Sequence, residues 1–190
     1  MKRIVTVVVM LQLGAAGVYA QQTSVKMNFS GTSAPSIVNL LQPDSHNDED
    51  NFAGTGTLGS FTVRHIRAIG NTPTTSSTCS GPTQLYFQEL AAGGVFRFQD
   101  NSLLYVSLIQ GSDCIDFSVP PLGEAHCTMS LQITGGTHRF KNASGTLTFT
   151  ETVVPTLLDA SNTPVFFAAT GKYTGTISGV SDEQGQDEGQ

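Results

Sequence analysis

The chain contains no tryptophan, and its 190 residues include only nine Lys and Arg against fifteen Asp and Glu. Without tryptophan there is no Cys…Trp…Cys spacing, which removes the immunoglobulin-type sandwich. With a net charge of −6 and no basic cluster, the chain lacks the electrostatic footprint of a nucleic-acid-binding protein. Nucleophile elbows of the Gly-x-Ser-x-Gly type, His-Glu-x-x-His and a phosphate-binding loop are all missing. Beyond residue 20 no apolar run is long enough to span a bilayer. A hydrophobic content of 38% is nevertheless too high for a disordered chain. What remains is a soluble, acidic, glycine-rich domain with 20 Gly, and its length fits one domain.

The first twenty residues read as an export signal. Met1-Lys2-Arg3 precedes an apolar run from Ile4 to Val18, and Val18-Tyr19-Ala20 supplies small residues where a signal peptidase reads. The run falls short of the ~20 residues a spanning helix needs, and Gln12 interrupts it. Cleavage after Ala20 places the mature protein in the periplasm or outside the cell.

Three cysteines permit at most one internal bridge. Cys114 and Cys127 flank Pro120-Pro121 symmetrically, so a hairpin with that tip would set them face to face. The expected disulfide is Cys114–Cys127, with Cys79 left over in its Thr-Cys-Ser-Gly loop. Pairing of Cys79 with either of the others remains open at this stage.

The mature chain has almost no helical period; Ser36–Gln42 could be a strand or a turn of helix. Elsewhere the period is two. Phe61, Val63 and His65 alternate with Thr62, Arg64 and Ile66, and Leu85 and Phe87 lead to Glu89. Cys127, Met129, Leu131 and Ile133 share one face; Leu147, Phe149, Glu151 and Val153 share another; Phe167, Ala169 and Tyr173 a third. This alternation means strands with one buried face. Breaks at Gly54-Thr-Gly56, Gly93-Gly94, Asp100-Asn101, Pro120-Pro121 and Gly135-Gly136 carry turn chemistry. About eight strands with short connections predict an all-β, closed, eight-stranded antiparallel β-barrel over residues 21–178, with a two-sheet sandwich as the alternative. Asp44–Asn51 is expected to be an acidic loop, Asn71–Thr83 the longest loop, and residues 179–190 a disordered acidic tail.

Residues 133–150, ITGGTHRFKNASGTLTFT, resemble the Gly-Gly-Thr-Gly-x-Phe…Ala-x-Gly hairpin of the allene oxide cyclase-like barrels and of plant dirigent proteins, both calycin-like. GVFRFQDNSLLYVSL and TGKYTGTISG fit the same layout, so the resemblance covers roughly residues 94–178. His138 and Asn142 stand where glycine is common, and both residue types tolerate positive φ. The resemblance implies the eight-stranded barrel, and a dimer or trimer as in those relatives. No active-site residue of either family aligns onto a position here.

A barrel of this size either fills its interior or holds one small ligand. The polar residues on apolar strand faces, His65, Glu89, Tyr105 and Tyr173, are therefore the candidate ligand-binding set, unless they lie near strand ends facing water. No catalytic residue is assigned. His126 and Cys127 are adjacent and point to opposite faces, so they cannot share a metal. The acidic run at residues 44–50 lacks calcium-loop spacing. No metal or cofactor is implied. The expected function is non-catalytic binding of a small apolar molecule, with a cyclase- or isomerase-like or dirigent-like role, or a structural and interaction role, as alternatives.

Overall fold

Side chains on successive residues of a strand point to opposite faces, so a chain of alternating apolar and polar residues needs an inside and an outside. The computed structural model, which describes residues 22–120 and 122–181, meets that need by closure. The strands are β1 (Thr23–Pro35), β2 (Ser45–Gly56), β3 (Gly59–Gly70), β4 (Thr74–Thr75), β5 (Leu85–Phe98), β6 (Leu103–Asp116), β7 (Glu124–Gly136), β8 (Ser144–Leu158) and β9 (Pro164–Ser178). Neighbouring long strands run antiparallel in chain order. β3 pairs with β5, and β9 returns to pair with β1 from Thr23↔Ile177 to Ser33↔Phe167. The result is a closed eight-stranded barrel with no free sheet edge along its wall. β4 is a two-residue rung against the start of β5.

The threonines of β8 and β9 line the outside of the wall, while Leu147, Phe149, Ala169 and Tyr173 between them are buried. The lumen is filled in tiers. At the lower end Phe61, Phe98, Leu104, Ile133 and Ile177 pack together. Above them Phe29, Phe52, Phe96, Phe149 and Tyr173 form a ring cluster, with centroids 4.5 Å apart for Phe29 and Phe52 and 4.9 Å for Phe96 and Tyr173. Such pairs add about 0.5–1.5 kcal/mol each beyond their area burial. Gly94 faces His65 across the β3–β5 pairing, and a Cβ there would overlap the imidazole. The glycine is what lets the ring lie flat against the wall.

The hairpin that carries the family resemblance plugs the lower end. After β7 the chain makes a short 3₁₀ turn, His138–Phe140, which buries Phe140 against Phe98 at 4.8 Å. The Arg139 guanidinium lies 4.4 Å from the Phe140 ring centre, and its Nη2 donates to the Leu58 carbonyl at 2.8 Å. His138 takes φ 50°, as expected of a residue standing in for glycine, whereas Asn142 is not among the positive-φ residues. The start of the expected tail is held: the Ser181 N–H donates to the Arg139 carbonyl at 2.9 Å. Residues 182–190 and the expected export signal at 1–20 lie outside the described residues. Among the described residues, no helix is long and apolar enough to cross a membrane.

Three expectations need correction. The acidic run Asp44–Asn51 is not a loop; from Ser45 on it is strand β2. Ser36–Gln42 is neither strand nor helix but part of the β1–β2 connection, with Ile37 and Leu41 exposed. The disulfide is Cys79–Cys114, not Cys114–Cys127, and Cys127 is a buried free thiol. The reason is register. Cys127 pairs with Asp113, and Cys114 with His126, a one-residue offset that sends the two cysteines to opposite faces of the hairpin. Cys114 faces out, where the long 71–84 connection brings Cys79 to it. A disulfide is compatible with an extracellular or periplasmic protein.

Non-reducing peptide mapping should find only the Cys79–Cys114 bridge, with Cys127 alkylated after unfolding alone. The double variant Cys79→Ser/Cys114→Ser should lose about 3–4 kcal/mol of unfolding free energy in urea, the entropy of a loop spanning 35 residues.

Candidate functional site

The upper third of the lumen is charged. β3 continues its inward row from Phe61, Val63 and His65 to Arg67, which is 2% exposed. Around it stand Asp50 from β2, Glu89 from β5, Asp113 from β6, Cys127 from β7 and Glu151 from β8. Two irregularities in the wall aim these groups. A register shift beside Ala68/Ile69 and another between Leu108 and Gln110 reverse the in–out phase of β5 and β6, so Glu89 and Asp113 turn inward.

Arg67 is the hub. Its Nη1 donates to Glu89 Oε1 at 2.8 Å and to Cys127 Sγ at 3.2 Å, with Asp113 Oδ1 at 3.5 Å. Its Nη2 donates to Asp50 Oδ1 at 3.3 Å, and its Nε lies 2.9 Å from Asp50 Oδ2, an ion pair whose N–H is not aimed at the oxygen. Glu151 Oε2 is 3.9 Å from Nη2, and neither Glu151 oxygen has a hydrogen-bond partner among the described residues. Burial works against the charge of Arg67, but Asp50, Glu89, Cys127 and Asp113 outweigh it and hold its pKa well above the usual value.

One cation cannot neutralise four buried acids, so some must keep their protons. Burial pushes the Glu89 carboxyl up to about 8, against the pull of Arg67. Burial likewise lifts Glu151 well above the carboxylate range and keeps Cys127 a thiol. Below the cluster, burial lowers His65 to about 4, so the ring is neutral. The Tyr173 hydroxyl, kept protonated by burial, shares a hydrogen bond with His65 Nε2 at 3.3 Å, and His65 Nδ1 lies 3.9 Å from Asp50.

Glu89, Asp113 and Cys127 offer ligand atoms within 4.8 Å of one another, a plausible metal triad by spacing. The Arg67 Nη1 already fills that position as the cation, with contacts to all three. These residues therefore do not suit a metal ion while the guanidinium is in place.

Above the cluster the lumen opens into a cavity of about 240 Å³. Its floor is Arg67, Asp113 and the buried Ser33, its rim carries His46 and Asp48, and its walls are Ile69, Phe87, Ile115, Ala125, Val153 and Phe167. A second hollow of about 220 Å³ shares Ile115, Ala125, Val153 and Phe167 and extends past Phe117 and Leu122. Hollows of about 660 and 980 Å³ also lie among the strands, but they are open troughs lined largely by outward residues such as Thr62, Arg64, Gln88 and Ser130.

The structure brings three of the four candidates, His65, Glu89 and Tyr173, into the lumen. Tyr105 is a correction: Leu104 and Val106 occupy the inward positions of β6, which puts Tyr105 on the outer side. None of the three inward candidates lines the mouth cavity; Arg67, Asp113 and Asp48 do. Arg67 and Glu151 could have been found by continuing the spacing-two rows of His65 and Phe149. Asp50 stands two residues before Phe52 but was hidden in an acidic run, and Asp113 was masked by the irregularity in β6.

No family model, curated protein or solved structure matches this chain. Its chemistry must be read from the site itself.

Replacing Arg67 by Met should destabilise the barrel by about 3–5 kcal/mol in urea, because buried acids lose their only cation. Glu89 binds its proton more tightly folded than unfolded, so its contribution is full below about pH 4.5 and fades as pH rises through about 8. Glu151 has the same sign. His65 has the opposite sign, acting only between about pH 4 and 6.5. Unfolding free energy should therefore fall as pH rises from about 6.5 to 8, and Glu89→Gln should flatten that slope.

Proposed function

We propose that this is an extracytoplasmic small-molecule-binding barrel that receives a small, largely apolar ligand at its open upper end. The observation that carries this reading is the asymmetry of the lumen. Aromatic rings fill its centre and Phe140 plugs its base, while an apolar-walled hollow opens at the mouth. Six apolar side chains form that hollow's walls, and a few convergent polar groups its floor, the usual composition of a ligand site. The export signal read in residues 1–20 and the Cys79–Cys114 bridge support the extracytoplasmic setting.

The alternative, a cyclase- or isomerase-like protein that steers a reactive molecule, draws on the resemblance of residues 133–150 to allene oxide cyclase-like and dirigent proteins. It needs a proton-transferring group at the cavity wall. Glu89 holds a proton near neutral pH, yet it lies behind Arg67, and Tyr173 is deeper still. Non-catalytic binding is therefore the better supported reading.

In ¹H–¹⁵N spectra, screening a library of small aromatic and aliphatic molecules should shift the amides of Ile69, Ile115, Ala125 and Val153. Ala125→Phe, which fills the hollow, should abolish those shifts and leave the far-ultraviolet spectrum unchanged. Shifts confined to other surfaces, or none, would remove the mouth as the site.

A further inference from the structure

The proposed binding site has a floor whose charge is out of balance, and that imbalance selects among ligands. Asp48 on the rim brings the acids near Arg67 to five: Asp48, Asp50, Glu89, Asp113 and Glu151. Burial raises Glu89 and Glu151, which favours their protonated forms, and the carboxyls outnumber the single guanidinium they surround. His65 is neutral, and His46 sits at the exposed edge, engaged through Nδ1 with Asn71 Oδ1 at 2.8 Å.

The Arg67 donors sit among acids already present: Nη1 serves Glu89 and Cys127, Nη2 serves Asp50, and Nε, which makes no hydrogen bond, lies 2.9 Å from Asp50 Oδ2. The acids facing the cavity are less fully bonded. Asp113 is only 7% exposed, yet it lines the cavity. Its Oδ1 reaches Arg67 only at 3.5 Å, through an Nη1 already shared with Glu89, and its Oδ2 has no hydrogen-bond partner among the described residues. The Asp48 carboxyl, on the opposite side of the same hollow, also makes no hydrogen bond among the described residues. Burial raises its pKa despite Arg67 and His46, with Asp50 and Asp113 adding to the rise, so the carboxyls repel one another across the space.

We propose that the mouth cavity takes a small amine with an apolar body, its ammonium between Asp113 and Asp48 and its hydrocarbon part against Phe87, Val153 and Phe167. An ammonium supplies the positive charge that this floor lacks, and it donates to the unbonded Asp113 oxygen. A carboxylate ligand would add another negative charge beside Asp113 and Asp48 and would have to compete with Glu89 and Asp50 for Arg67. A neutral alcohol could use the apolar walls but not the charge.

This inference rests on the mouth being a ligand site, and a matched probe series separates the two claims. 2-Phenylethylamine, 2-phenylethanol and 3-phenylpropionate would be titrated into the purified full chain at neutral pH, with the Ile69, Ala125 and Val153 amides as the readout. The amine should bind about tenfold or more tighter than the alcohol, and the carboxylate weakest. Asp113→Asn should bring the amine within about threefold of the alcohol while the alcohol keeps its affinity. Asp48→Asn, on the partly buried rim, should narrow the preference in the same direction. An alcohol or carboxylate that binds as well as the amine would overturn the amine assignment and leave the mouth as a binding site. A preference for the amine unchanged in both variants would also overturn it. Failure of all three probes to move the mouth amides would remove the site itself.

Discussion

Everything in the upper half of this barrel depends on one guanidinium. Arg67 stands where the inward faces of β2, β3, β5, β6, β7 and β8 converge, and each except its own strand presents it with an acid or a thiol. Taking an Arg out of water is expensive, and acids are the only groups here that offset the cost. The acids in turn tolerate burial only beside a cation or with a proton attached. The cluster is thus mutually required, and its surplus of acids is settled by protonation, most visibly at Glu89 and Glu151. A hydrophobic set of the same volume would fold at least as well. The charge of the cluster lies directly beneath the hollow at the mouth.

The two ends of the barrel solve different problems. At the base, the hairpin after β7 turns Phe140 into the lumen and lays Arg139 over the Phe98 and Phe140 rings, so the core is sealed against water. Among the described residues none makes that turn at the mouth. The apolar walls of the hollow stand open above a polar floor, and exposed Phe117, Leu157 and Phe166 continue the apolar character onto the rim.

Much of the architecture was legible in the sequence because its signal is local. The rows Cys127–Met129–Leu131–Ile133 and Leu147–Phe149–Glu151–Val153 show strand and facing together, and closure follows from the number of such rows. The site was less legible because it depends on phase. In β3 the alternation is unbroken from Phe61 to Arg67, and His65 was found there; Arg67 was the next step in the same row. In β6 the inward row begins at Leu104 and Val106 rather than at Leu103, which turns Tyr105 outward, and a register shift after Leu108 then turns Asp113 inward. β2 failed for another reason. Its SHNDED segment has the composition of a loop, and only the pairing with β3 and the Arg67 charge make it a strand with a buried Asp50. The disulfide was misassigned by a single residue of register, a quantity that symmetry about Pro120-Pro121 could not supply.

That same offset governs how three thiols are sorted during oxidation. An unstructured chain could join any two of them. Once β6 and β7 zip together, Cys127 is drawn into the lumen and Cys114 is left outside, and the pair that lies nearest in sequence can no longer meet. Hairpin formation therefore acts as a selector: the register that hides Cys127 in the lumen leaves Cys114 on the face that Cys79 reaches.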